Sequence, residues 1–198
     1  MNDNMLYQIK SEINKQLKLP EELFNLFWGK LTPTVVAKGE MFLTHGKISH
    51  SLALIIQGAF YAYYEKDGNE ILEGFCFEGC FMSDYPSFIN STISKKNFKA
   101  LENSQILTIS SKELQSLYHE NVLFERAGRL MAEYLFATWE MKLQDTIFLT
   151  PTERYLKLLK SSNNELNRVP QYLIASFLNI TPQYLSQIRK KIFTSETS

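Results

Sequence analysis

The most constraining stretch is Pro170-Gln-Tyr-Leu-Ile-Ala-Ser-Phe-Leu-Asn-Ile-Thr-Pro-Gln-Tyr-Leu-Ser-Gln-Ile-Arg-Lys-Lys-Ile192. It reads as two short helices around a tight turn. Ile174, Ala175 and Leu178 make one apolar face, and Leu185, Ile188 and Ile192 make another at helical spacing. Asn179 stands where the turn needs positive φ, which asparagine tolerates better than most residues. Ala175 is small enough to let the second helix cross closely over the first. Thr181 suits the N-cap of the second helix and Pro182 its first position. Together these residues fit a helix-turn-helix, whose second helix enters the DNA major groove.

The outward face of the second helix sets what the unit can touch. At 100° per residue, Leu185, Ile188 and Ile192 point inward and Gln183, Gln187 and Lys190 point away. Ser186 lies beside them, and Tyr184 and Arg189 flank the apolar face. Glutamine pairs bidentately with adenine, whereas lysine and arginine reach guanine or phosphate. The DNA contacts expected are therefore Thr181, Gln183, Tyr184, Ser186, Gln187, Arg189 and Lys190, with Arg168 a backbone contact from the preceding link. The chain has no net charge, but residues 151–198 carry +4 and residues 1–150 carry −4. That division draws the C-terminal part toward DNA and repels the rest.

At 198 residues, 44% hydrophobic and 13% aromatic, the chain is long and apolar enough for a real core. No apolar run approaches the roughly 20 residues that span a bilayer, and no signal peptide opens the sequence. A cytoplasmic protein without membrane attachment is expected. Cys76 and Cys80, the two cysteines, cannot alone ligate a structural zinc or an iron–sulfur cluster. They read as inert thiols, with a redox role the minority alternative.

Two helices open the chain. The first has Leu6, Ile9, Ile13 and Leu17 at helical spacing, and the second runs from Pro20-Glu21-Glu22 through Trp28. From Pro33, short apolar runs broken by glycine suggest strands: Val35-Val36, Met41–Leu43, Leu52–Ile56, Phe60–Tyr64, Ile71–Phe77 and Ile106–Ile109. Asp67-Gly68 marks a hairpin, and the regular spacing suggests a small antiparallel barrel or sandwich. After Ser111 the helical period returns. Phe124, Ala127, Met131, Tyr134, Leu135, Thr138 and Met141 recur near heptad spacing, and no proline interrupts Tyr118 to Thr150. One long helix with these residues as a two-helix dimer seam is expected. Thr150-Pro151-Thr152-Glu153 is a capping box that starts the next helix, and Asn163-Asn164 ends it.

In this order the segments resemble the Crp/Fnr family of bacterial transcription regulators over almost the whole chain. Lys38-Gly39-Glu40, His45-Gly46, Ile55-Ile56-Gln57-Gly58 and Phe77-Glu78-Gly79 match its β-roll glycine pattern. Glu153-Arg154-Tyr155 and the run from Val169-Pro170-Gln171 to Leu185-Ser186 are similar to its Bacteroidetes-type branch. The resemblance implies an α+β fold. Residues 1–118 would form an antiparallel, jelly-roll-like β-roll (a double-stranded β-helix) with flanking helices. Residues 119–149 would form a long dimerisation helix, and residues 150–198 a C-terminal winged helix-turn-helix-like domain. It further implies a homodimer on a palindromic site, with half-sites roughly 10 base pairs apart, and RNA polymerase as a partner. In that branch arginine often stands where this chain has Gln187, so half-sites rich in A·T pairs are expected.

Cyclic-nucleotide binders of the family carry Gly-Glu at the start of a short helix and, about ten residues later, Arg followed by Ser or Thr. Here those positions read Ser83-Asp84 and Ser94-Lys95. Asp84 could still accept a ribose hydroxyl and Lys95 could offer charge, but the bidentate arginine is missing. A site that does not take cAMP, either unused or given to another small-molecule effector, is therefore expected. No cofactor is implied. His45, His50 and His119 lack metal-ligand spacing, so a cupin-like metal enzyme is disfavoured. No nucleophile elbow, phosphate loop or metalloprotease motif appears, and catalysis is not expected. A helix-turn-helix that docks protein rather than DNA is the remaining alternative class.

Overall fold

In a computed structural model, residues 3–162 and 164–196 are described. Two helices, α1 (Asp3–Leu17) and α2 (Glu21–Gly29), lead into eight antiparallel strands. These are β1 (Thr32–Val36), β2 (Met41–Leu43), β3 (Ser51–Gln57), β4 (Phe60–Lys66), β5 (Asn69–Cys76), β6 (Phe81–Met82), β7 (Lys96–Ala100) and β8 (Ser104–Ser110). A short helix, α3 (Tyr85–Asn90), bridges β6 and β7. The strands form two four-stranded sheets, ordered β1-β8-β3-β6 and β2-β7-β4-β5, in a jelly-roll-like arrangement. The α+β class expected from the sequence is the one observed.

Strand alternation explains how one roll carries three cores. On β3, Ala53 and Ile55 enter the roll with Phe60, Met82 and Ile106, while Leu54 and Ile56 face the N-terminal helices. On β4, Phe60 and Ala62 point inward, and Tyr61 and Tyr63 point out toward the C-terminal helices. The continuous apolar runs in both strands follow from burial on both faces. Gly58 joins them at φ 119°, and a Cβ there would run into the Ser104 side chain, so only glycine fits.

A shorter helix, α4 (Ser111–Glu120), precedes the expected long helix, α5 (Val122–Phe148). Asn121 between them is extended, and its side chain accepts from Leu123 N–H at 2.9 Å, capping α5. Next come α6 (Pro151–Ser161), a 3-10 turn (Glu165–Arg168), α7 (Gln171–Phe177) and α8 (Pro182–Glu196). The Thr150–Glu153 capping box starts α6 as its sequence specifies. Of the expected Asn163-Asn164 stop, Asn163 lies outside the described residues, and Asn164 sits at φ 73° before the 3-10 turn. Among the described residues no strand follows β8, so the C-terminal part is helical and the expected wing is not seen.

Candidate functional site

The C-terminal helices form the expected hairpin. α7 buries Leu173, Ile174 and Ala175, Asn179 turns the chain at φ 57°, and α8 buries Leu185 and Ile188. The Thr181 hydroxyl accepts from Tyr184 N–H at 3.2 Å, as an N-cap does. Arg154 of α6 donates to the Leu178 carbonyl at 2.7 Å, satisfying the end of α7. On α8, Thr181, Gln183, Tyr184, Ser186, Gln187 and Lys190 are exposed, and Arg189 is half-buried. The Ser186 hydroxyl donates to the Pro182 carbonyl at 3.0 Å, so its remaining capacity toward a base is as acceptor.

Arg168 is placed differently from expectation. Its guanidinium forks onto Glu78, with nitrogen–oxygen distances of 2.8 and 2.9 Å, and also pairs with Glu102. Glu78 in turn accepts from Gly58 N–H at 2.8 Å. Burial would raise the Glu78 carboxyl, but Arg168 and the backbone donors outweigh it and hold it below its ordinary range. Arg168 is thus tied to the β-roll. It holds the helical unit together with an apolar cluster that joins Tyr61, Tyr63 and Phe77 to Leu173 and Leu178.

In the β-roll, the four expected effector residues lie close together, but three of them bond to the protein itself. Asp84 precedes α3 and its carboxylate accepts from the buried Ser94 hydroxyl at 2.6 Å. Ser83 shares a 3.0 Å hydrogen bond with Ser49 and donates to the Ser51 carbonyl. Lys95 is exposed, and the next residue, Lys96, is the lysine that turns inward. Its ammonium lies 2.8 Å from Glu73. Lys96 lies on β7, whose residues 96, 98 and 100 share one face by alternation, so strand parity was the signal that distinguishes it from Lys95. Burial lowers Lys96, and the adjoining Glu73 more than compensates, leaving it raised.

Glu73 also stands at a bulge, since Ala62 pairs with Gly74 and Tyr63 with Leu72. The ammonium of Lys142, from α5, donates to the Glu73 carbonyl and lies 5.4 Å from the centre of the Phe177 ring of α7. Burial pulls Lys142 below its ordinary value despite the nearby Glu73 carboxylate. One side chain therefore touches the roll and the C-terminal helical hairpin from the long helix. The sequence reading missed this residue, because helical periodicity does not say which lysine turns inward.

The residues of the expected seam on α5 divide between the protein's own core and its surface. Phe124 and Ala127 are buried in the protein's own core, Met131 packs against the same cluster, and Leu135 lines a cavity beside it. Tyr134, Thr138 and Met141 are exposed. A second apolar stripe, Phe136, Trp139, Leu143 and Ile147, faces outward at intervals of three or four residues. Cys76 is half-buried, with its thiol pushed up to about 12 by burial. Cys80 is exposed as a whole residue, yet enough protein surrounds its thiol to raise it as well. No helix is long and apolar enough to cross a membrane, and among the described residues no group of three or more His, Cys, Asp or Glu could hold a metal.

Residues 33–121 match the cyclic nucleotide-binding domain family. A search of curated proteins found no match. Among solved structures the chain is similar to three regulators of the Crp/Fnr type. FixK2 from Bradyrhizobium japonicum aligns at 15% identity and TM-score 0.69, over 84% of this chain and 86% of that one. The c-di-GMP responsive global regulator CLP from Xanthomonas campestris aligns at 18% identity and TM-score 0.64, over 89% and 93%. The Thermus thermophilus catabolite activator protein aligns at 16% identity and TM-score 0.54, over 90% and 85%. At these identities the likeness establishes the fold, with the β-roll and the helices after it in the same order.

Proposed function

We propose that the protein is a homodimeric, sequence-specific DNA-binding transcription regulator of the Crp/Fnr type, whose effector is not cAMP. The observation that carries this reading is the exposure of Gln183, Gln187 and Lys190 on α8 while Leu185 and Ile188 hold the same helix to the body. Thr181, Tyr184 and Ser186 complete the reading face, and Arg189 adds charge at its edge. Arg168 is withdrawn from that set by its ion pairs. Residues 1–118 serve as the sensor, 119–149 as the dimerisation helix and 150–198 as the DNA-binding part. In this role the protein acts in the cytoplasm and works with RNA polymerase.

Dimerisation is assigned to the stripe Phe136, Trp139, Leu143 and Ile147, since its spacing is that of a two-helix seam and nothing among the described residues covers it. Exclusion of cAMP follows from charge. A cyclic phosphate at Ser83-Asp84 and Ser94 would meet the Asp84 carboxylate, and the nearest inward cation, Lys96, is already paired with Glu73. The test is selection of genomic DNA fragments by purified protein at physiological salt, with and without cAMP. A two-fold motif recovered equally in both, and lost steeply as salt rises, is the expected result. Recovery only with cAMP would overturn the effector reading, and protein partners with no DNA motif would overturn the regulator reading itself.

A further inference from the structure

Between α3, α4 and α5 lies a cavity of about 330 Å³, bordered by Leu52, Phe88, Leu114, Tyr118, Met131 and Leu135. A volume of about 330 Å³ is roughly eleven times the ~30 Å³ share of a water and falls within the range of small-molecule sites. It lies on the outer side of the β3–β6 sheet, apart from the Asp84–Ser94 pair inside the roll.

The chemistry of its walls narrows the occupant. Most of the lining is aliphatic or aromatic, which favours an apolar body. The Tyr118 hydroxyl rests against Gly128 of α5, and among the described residues it has no hydrogen-bond partner. Burial pushes Tyr118 up to about 12, so it stands ready as a neutral donor. Among the described lining residues Arg129 is the only Lys or Arg, and it is paired with Glu133 at 2.5 Å, while Glu125 adds negative charge to the rim. Arg129 is itself exposed at the rim, so a carboxylate or phosphate entering the cavity would find no buried cation to offset its lost hydration.

We infer that this cavity is a binding site for a small, uncharged, apolar molecule that carries one hydroxyl or carbonyl group, whose oxygen accepts a hydrogen bond from Tyr118. The molecule would lie along the buried side of α5 and stiffen the helix that bears the outward apolar stripe. That regulatory consequence rests on the dimeric-regulator reading, whereas occupancy of the cavity does not.

The test uses the full chain with carbon-13-labelled methionine methyl groups, titrated with decan-1-ol, whose eleven non-hydrogen atoms suit the volume. Saturable movement of the Met131 methyl signal is expected, while Met82, buried inside the roll, stays still. Tyr118→Phe should weaken decan-1-ol binding about fivefold, the effect of one hydrogen bond, and leave binding of n-decane unchanged. The methyl spectrum of the variant shows whether its fold is intact. A Met131 signal that does not move, parallel linear movement of all methionine signals, or equal affinity of folded Tyr118→Phe for decan-1-ol would each overturn the inference. None of these readouts involves DNA, so failure of the site and failure of the regulator reading are distinguishable.

Discussion

At the scale of single residues, α8 separates two kinds of contact. Gln187 presents an amide that can pair two ways with one base, whereas Lys190 presents a point charge suited to phosphate. Gln187→Ala should therefore flatten base preference at one position of each half-site, by about 1–3 kcal/mol of discrimination. Lys190→Ala should weaken binding to all sequences alike and reduce the salt slope by about one. Binding measured on a panel of single-base variants at several salt concentrations checks both, and the reverse pattern would refute the roles. As an exposed face these residues were legible in the sequence, because a helix with one apolar face fixes its other face. Arg168 was not, because its partners Glu78 and Glu102 lie far away in the chain and only the fold brings them together. Lys95 and Lys96 show a smaller error of the same kind, in which one step of strand parity decides which ammonium turns inward.

At the scale of the element, α5 is apolar on more than one side, and that is why its periodicity alone does not fix which side would meet a partner. The Phe124, Ala127 and Met131 stripe has a heptad-like period because it packs on the protein's own sheet and N-terminal helices. The outward stripe from Phe136 to Ile147 has a similar period, and sequence alone gives no means of ranking the two. Leu143→Glu places two carboxylates face to face in the proposed seam, and like charges so juxtaposed cost several kcal/mol. The dimer should weaken at least about 100-fold, roughly 3 kcal/mol, seen as monomer in sedimentation. Met141→Glu, on the other exposed flank, should leave the dimer intact. If Met141→Glu dissociates it and Leu143→Glu does not, the phase assigned to α5 is wrong. The β-roll strands were easier to recognise, since their glycine-bounded runs match the turns, although β6, α3 and β7 were too short or too polar to stand out.

At the scale of the whole molecule, the C-terminal helical hairpin is docked on the roll through an apolar cluster and through Arg168 on Glu78 and Glu102. The ion pair is partly exposed, with Arg168 at 31% and Glu102 at 38%, so solvent screening limits its contribution. Glu78, at 12%, is the sheltered member, and its carboxylate would lose its main partner if Arg168 were removed. Arg168→Ala should thus destabilise the protein by about 1–2 kcal/mol near neutral pH, measured by denaturant unfolding. The sign of the pH dependence follows from Glu78. Its carboxyl is depressed in the folded protein, so the pair contributes fully above the ordinary carboxylate range. That contribution is lost as pH falls through the depressed value. Wild type and Arg168→Ala should therefore differ at about pH 7 and converge toward about pH 3. A difference that stays constant across that range would mean that Arg168 acts through packing on Phe77, whose ring lies 5.6 Å from its guanidinium, rather than through charge. The docking of the C-terminal hairpin on the roll would then depend on apolar contact alone.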